Sequence, residues 1–268
     1  MAYQENNDVV SRTFNKIQEG VYRLQETGVE NPRAYHQAVV DLDHVLLSDL
    51  ANEAEAAEIV MRAQRNNLLG LSQILYRSYE TLLEESFTKL ALACADFNLL
   101  GGDNITHNYL MRYYNLAANE IKLARIQRDD RVLFIGSGPF PITAIEYARQ
   151  TGCMVDCVEV LPDKATISRD IVNRLGMTGQ LQVYTADGQS FSPKPYSVVL
   201  VGVLAQPKQN IIDNIERDGR DNTKVLARTT MGLRQFVYYP AEFRTIRYTS
   251  TGTNQARNDQ VLSTILLR

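Results

Sequence analysis

The sequence predicts an α/β protein, with an N-terminal helical bundle over residues 1–127 followed by a Rossmann-like domain over residues 128–268. Three observations predict it. Apolar residues recur at helical spacing through the first part, and no proline interrupts residues 33 to 138. From Asp129-Asp130 onward, short β-branched runs alternate with helical patterns, which implies βαβ units and a parallel sheet. At the start of that second part lies RVLFIGSGPFPITAIEY, Arg131 to Tyr147, which reads as a buried strand, a glycine turn and the start of a helix.

Taken in order, Val10, Phe14, Ile17, Val21 and Leu24 make one face of a first helix, closed by Gly28. Pro32, after Asn31, suits the first position of a second helix, with Tyr35, Val39, Leu42, Val45 and Leu46 on its apolar face. A third is expected over Asn52 to Gln64. A fourth runs from Leu68 to Phe97, ended by Gly101-Gly102, and a fifth from His107 to Gln127. The predicted strands are 131–135, 154–160, 181–185, 196–203, 223–229, 242–249 and 260–267, with helices at 141–151, 163–175 and 208–217. Five strands in α/β alternation and then two adjacent ones suit the S-adenosylmethionine (SAM)-dependent methyltransferase-like Rossmann domain. Right-handed crossovers put a ligand at the strand C-termini.

Composition narrows the function classes. The chain has 268 residues, 44% hydrophobic and 22% charged, and a net charge of -3. No basic block stands out, which disfavours nucleic acid as a partner. The longest apolar run, Tyr196 to Ala205, is too short to span a bilayer, so no membrane partner is expected. MAYQENND carries no charged-then-apolar export signal, and cytoplasmic residence is the default expectation. Cys94, Cys153 and Cys157 are an odd set without paired spacing and read as small buried hydrophobes. His36, His44 and His107 are too dispersed for a zinc pattern, and no bound metal is expected.

The chemistry gathers at the glycine turn. Gly136, Ser137 and Gly138 let the backbone turn sharply with no glycine side chain between it and a ligand. Pro139 and Pro141 cannot continue a strand but suit a helix start. Pro141 also replaces the third glycine of G-x-G-x-x-G, which disfavours a hydride-transfer dinucleotide and favours SAM. Glu159, ending the second strand, can accept hydrogen bonds from both ribose hydroxyls. Asp163 is the better candidate to cap the following helix. Asp187, in Thr185-Ala186-Asp187-Gly188, can bond the adenine amino group or simply form an Asp-Gly turn. Val203, after the fourth strand, would floor the pocket near the sulfonium.

At GSGPFPIT the chain resembles the nicotianamine synthase family, whose turn is similar to GSGPLPLT. Four further stretches carry the resemblance. Glu80-Thr81-Leu82-Leu83-Glu84 resembles E-G-x-L-E. Tyr109 to Glu120 matches Y-x-x-x-Y-x-N-L-x-x-x-E. Thr185-Ala186-Asp187 resembles the adenine-side turn, and Arg228 to Tyr238 matches R-x-x-x-G-x-R-x-F-x-Y, expected on the fifth strand. Glu159 stands where many relatives carry aspartate, and Thr81 where plant enzymes have glycine.

The resemblance, which includes the bacterial enzymes of opine-type metallophores such as staphylopine and pseudopaline, implies an activity. An amine attacks the γ-carbon of the methionine part of SAM, the 3-amino-3-carboxypropyl (aminobutyrate) group is transferred, and 5′-methylthioadenosine leaves. Histidine is the implied acceptor, with a lean toward the L form. An opine dehydrogenase would take the product, and a homodimer is implied. Because the attacking amine must be neutral, a base must take its proton. Glu84, assisted by Glu80 four residues earlier on the same helix face, is favoured for binding and deprotonating the acceptor. Tyr109 and Tyr113 are candidates to reach the reaction centre through their hydroxyls, and Arg234 to pair with a substrate carboxylate. A methyltransferase acting on a small amine and a non-catalytic SAM-binding protein are the alternatives.

Overall fold

The computed structural model describes residues 2–48, 51–93, 104–256 and 260–268. By backbone contacts it divides into two units. The first comprises Met1–Leu83, Thr230–Pro240 and Ala256–Leu262, and the second Glu84–Thr229, Ala241–Gln255 and Ser263–Arg268.

The first unit is mostly helical. Helix α1, Ala2–Thr27, packs against α2, Pro32–Leu46, and α3, Glu53–Arg65. Its predicted stripe, Val10, Phe14, Ile17, Val21 and Leu24, is at most 3% exposed. Helix α2 starts on Pro32, where a missing N–H costs nothing, and the Asn31 side chain accepts from the Ala34 amide. Helix α3 opens with a reciprocal cap. The Asn52 side chain accepts from the Ala54 and Glu55 amides at 3.0 Å, and Glu55 accepts from the Asn52 amide at 2.8 Å. A 3-10 helix, Gly232–Phe236, packs on α2 and α3 in the same unit. Ser72 donates to the Phe236 carbonyl at 2.8 Å and Gln73 to the Gln235 carbonyl at 2.7 Å. Helix α4, Leu68–Ala93, contributes to both units. Its expected end at Phe97, the Gly101-Gly102 break and Cys94 lie outside the described residues.

The second unit holds helix α5, Asn104–Ala124, and a seven-stranded sheet of order β3-β2-β1-β4-β5-β7-β6. Its strands are β1 Arg131–Ile135, β2 Met154–Glu159, β3 Leu181–Thr185, β4 Val198–Val201, β5 Lys224–Thr229, β6 Ser250–Asn254 and β7 Ser263–Leu267. β1 to β5 are parallel, and β7 runs antiparallel to both β5 and β6. The crossover helices are α6 Ile142–Thr151, α7 Pro162–Arg174 and α8 Lys208–Asp218. Strand order reverses at β1, which pairs with both β2 and β4 and so opens a crevice beyond their C-terminal ends. The α/β class and the methyltransferase-like sheet are as the sequence predicts.

Two expectations are corrected. No strand forms over 242–249. The amides of Ile246, Arg247 and Tyr248 donate instead to the Glu216 carboxylate, and that of Arg244 to the Gln209 side chain, so these donors are spent on α8 rather than on a ladder. The sixth strand is the next segment, Ser-Thr-Gly-Thr-Asn, whose exposed polar residues give little strand signal. The run Arg228 to Tyr238 is not all on the fifth strand either. β5 ends at Thr229, and Arg234 lies on the 3-10 helix.

A buried ion pair joins the sheet to its helices. Glu120 of α5 and Arg228 of β5 are 0% and 3% exposed. Oε1 of Glu120 accepts from Arg228 Nε at 2.9 Å and Thr264 at 2.7 Å, and Oε2 from Arg228 Nη2 and Tyr147 at 2.8 Å each. Arg228 also donates to Thr143 at 2.9 Å. Burial opposes the charge on Arg228, but Glu120 outweighs it and keeps the guanidinium charged. Replacing Arg228 with methionine strands a desolvated carboxylate and is expected to lower stability by about 3–5 kcal/mol, read by denaturant unfolding. The double replacement Glu120→Leu with Arg228→Met is expected to cost clearly less than the single one.

Candidate active site

The turn after β1 needs its glycines. Gly136 and Gly138 have φ of +78° and +70°, a region that side chains disfavour. The Gly136 amide donates to the Val158 carbonyl at 2.8 Å, which ties the turn to β2. A Cβ on Gly136 would sit 3.0 Å from the Ala205 side chain, and one on Gly202 would sit 2.9 Å from the Gly136 carbonyl. The loops after β1 and β4 therefore meet backbone to backbone, where the strand order reverses. Pro139 follows, and Pro141 stands at the N-cap of α6.

The other strand-end residues converge on this turn. Glu159 is only 7% exposed, and its carboxylate accepts from the Gly138 amide at 3.0 Å and the Leu161 amide at 2.9 Å. Each oxygen keeps a further lone pair for an outside donor, so a pair of ribose hydroxyls fits its chemistry. Helix α7 starts at Pro162, so Asp163 lies in its first turn and no side chain caps that end. Asp163 is thus not the cap the sequence suggests. Pro162 already fills the first position, and Leu161 occupies the capping site. The Ala186 amide donates to the Glu159 carbonyl at 3.1 Å, drawing the loop after β3 to the same edge. There Asp187 is exposed and accepts from the Gln189 amide at 2.8 Å, forming a local turn. Gly188 lies flush on Ile135, where any Cβ would come within 2.3 Å of its side chain. Val160, Leu161 and Leu204 leave an exposed apolar rim at these strand ends.

Glu84 reaches this turn from α4. Its Oε1 stands 3.4 Å from where a Gly138 Cβ would be, and its Oε2 accepts from Lys164 of α7 at 3.2 Å. An aromatic column continues from there. Phe140 of the turn stacks on Phe87 at 6.2 Å, Phe87 on Tyr109 at 4.4 Å, and Tyr109 meets Tyr113 tilted at 4.9 Å. Glu84, Tyr109, Tyr113, Gly136, Ser137, Gly138, Pro139, Glu159, Asp187 and Val203 all belong to the second unit. Glu80 and Arg234 belong to the first, where Arg234 donates to the Gln260 carbonyl at 2.8 Å.

Comparison with known proteins decides the family. A family model described as nicotianamine synthase protein matches residues 8–268. The chain belongs to the nicotianamine synthase family. L-histidine 2-aminobutanoyltransferases of Yersinia pestis and Pseudomonas aeruginosa are each 27% identical to it over 135 residues, 50% of this chain and 51% of theirs. The chain thus spans about half the length of the curated relatives it first matches. The nicotianamine synthase of Solanum lycopersicum is 24% identical over 293 residues, 100% of this chain and 85% of that one. The crystal structure of MtNAS in complex with MTA and tNA superposes with a TM-score of 0.84 at 24% identity, covering 94% of this chain and 96% of that one. A glutamate-to-glutamine variant of MtNAS in complex with S-adenosylmethionine gives the same score and identity, with 95% and 96% covered. These two likenesses establish the fold.

In this family member, sequence reasoning misses Lys164, Phe87, Phe140 and Lys208. Phe87 lies three residues after Glu84, a spacing that could have signalled a shared helix face. Neither cysteine among the described residues is exposed for reactive chemistry. Cys153 and Cys157 are buried free thiols, and burial pushes the Cys157 thiol up to about 12. No group of three or more His, Cys, Asp or Glu among the described residues could hold a metal ion. No helix among them is long and apolar enough to cross a membrane.

Lys208 lies behind the loop that carries Val203. It is 4% exposed, and its amine donates to the Gly202 carbonyl at 2.7 Å and the Val203 carbonyl at 3.4 Å. Burial, and then the charge of Arg228, pulls its pKa from 10.5 down to about 8. The folded value lies below the unfolded one, so the fold favours the neutral amine. That contribution is complete above the unfolded value and is lost as pH falls through about 8. Relative to Lys208→Met, the wild-type chain should gain about 2 kcal/mol of unfolding free energy between about pH 7.5 and about pH 10. Denaturant titrations of both proteins at the two pH values check this.

Proposed function

We propose that this protein transfers the 3-amino-3-carboxypropyl group of SAM to the amine of L-histidine and releases 5′-methylthioadenosine, for an opine-type metallophore. The observation that carries this reading is the Glu84 carboxylate standing directly over the glycine turn, beside Gly138. An attacking amine must be relieved of a proton, and a carboxylate in this place can take it. The names of the bacterial relatives support histidine as the acceptor.

In this proposal the glycine turn admits the nucleoside at the crevice. Glu159 accepts from the ribose hydroxyls, Asp187 from the adenine amino group, and the loop at Val203 floors the sulfonium. The exposed rim of Val160, Leu161 and Leu204 covers the flat base. The histidine nitrogen attacks the γ-carbon as the bond from that carbon to sulfur breaks, so the sulfonium leaves as a neutral thioether. The proton released by the nitrogen passes to Glu84. Tyr109 and Tyr113, fixed by the column from Phe140, present hydroxyls to the aminobutyrate arm. Glu80 and Arg234 enter through the family pattern alone, as an assistant to Glu84 and a partner for a substrate carboxylate. The product would go to an opine dehydrogenase, which condenses it with a 2-oxoacid.

Incubation with SAM and L-histidine, followed by mass spectrometry, should yield methylthioadenosine and histidine enlarged by an aminobutyrate group. S-adenosylhomocysteine as the product would instead establish a methyltransferase. Glu84→Gln should still fold and bind SAM but lose about 10²-fold or more in kcat, the scale of a missing general base. A variant with wild-type turnover would remove Glu84 from that role.

A further inference from the structure

We infer that Glu84 and Lys164 together form a receptor for the two charged ends of an α-amino acid. Lys164 takes the acceptor's α-carboxylate while Glu84 takes its amine. This rests on the transferase reading and names the residue that would select amino acids from other amines.

The geometry supplies both halves. The two side chains meet at 3.2 Å, with side-chain exposures of 42% for Lys164 and 30% for Glu84. A pair this open to water adds little stability, so an incoming ligand opens it easily. An α-amino acid carries the complementary pair on one carbon and can replace one weak bridge with two contacts. Helix stability does not account for Lys164. It sits in the first turn of α7, where the helix dipole disfavours a cation. Nor is the pair a neighbouring-turn contact, since its members are 80 residues apart on α4 and α7. The Glu84 end of the pair stands beside Gly138, at the turn proposed to hold SAM. Opening the bridge also leaves Glu84 free to accept the proton that the amine gives up.

The test compares L-histidine with histamine, which keeps the imidazole and the amine but lacks the carboxylate. The wild-type protein should prefer histidine. In Lys164→Met the histidine-to-histamine ratio of kcat/KM should fall 10-fold or more, chiefly through KM for histidine. Lys164→Arg should keep that ratio within about three-fold, because a guanidinium also binds carboxylates. An unchanged ratio in Lys164→Met, with both amines slowed alike, would reduce Lys164 to a prop for Glu84 and overturn the inference. A rise confined to the KM for SAM would overturn it too, by assigning Lys164 to the donor's own carboxylate. Absence of methylthioadenosine from the wild-type protein with either amine would instead defeat the transferase reading, so the two failures are distinguishable.

Discussion

Glu120 and Arg228 meet fully buried inside the second unit, and much of that unit is arranged to make this tolerable. A carboxylate has about four acceptor positions, and Glu120 uses four on Arg228, Tyr147 and Thr264. Glu120 sits on α5 and those partners come from α6, β5 and β7, so one charged group fixes the relation of two helices to two strands. The energetic meaning is asymmetric. The pair itself contributes little net stability, because desolvation offsets most of the attraction, but losing one member leaves a bare buried charge. The interaction specifies an arrangement more than it strengthens one. That arrangement carries α6, and α6 begins at the glycine turn.

Close approach is the second constraint. Gly136, Gly188 and Gly202 are each pressed against a neighbouring loop or strand, and a methyl group on any of them would collide. The result is a set of tightly packed strand ends, with Val160, Leu161 and Leu204 exposed beside them. Glu159 joins these loops by a different means. It locks the loops after β1 and β2 to each other through one carboxylate, while staying able to receive hydroxyls.

How much of this was legible in the sequence depended on the range of the interactions. Helix and strand periodicity is local, so α2, α3, β1 and β3 could be placed to within a residue or so. The glycine turn, the proline at its third position and the acid ending β2 are also local signals. Interactions between distant segments were not legible. Nothing near Lys164 says that it will meet Glu84, and nothing near Glu216 says that it will claim the amides of residues 246 to 248. The same reason misplaced the sixth strand. Its existence is decided by pairing with β7, while its own residues have low strand propensity. The tyrosine spacing at 109 and 113 was visible, but the aromatic stack that orders the two rings runs through Phe87 and Phe140 on other elements.

The unpromising composition of β6 has a consequence for how the molecule behaves in a crowded solution. A sheet must end somewhere, and an outermost strand offers unpaired backbone groups to any passing chain. Here that strand is short, polar and interrupted by an irregularity between Ser250 and Gly252, so it presents a poor template. At the opposite margin Arg169 of α7 reaches over β3 to the Val183 carbonyl and the Thr185 hydroxyl, placing a positive charge on that border. The two borders thus guard against self-association by unlike means, one by having little to offer and the other by electrostatic repulsion.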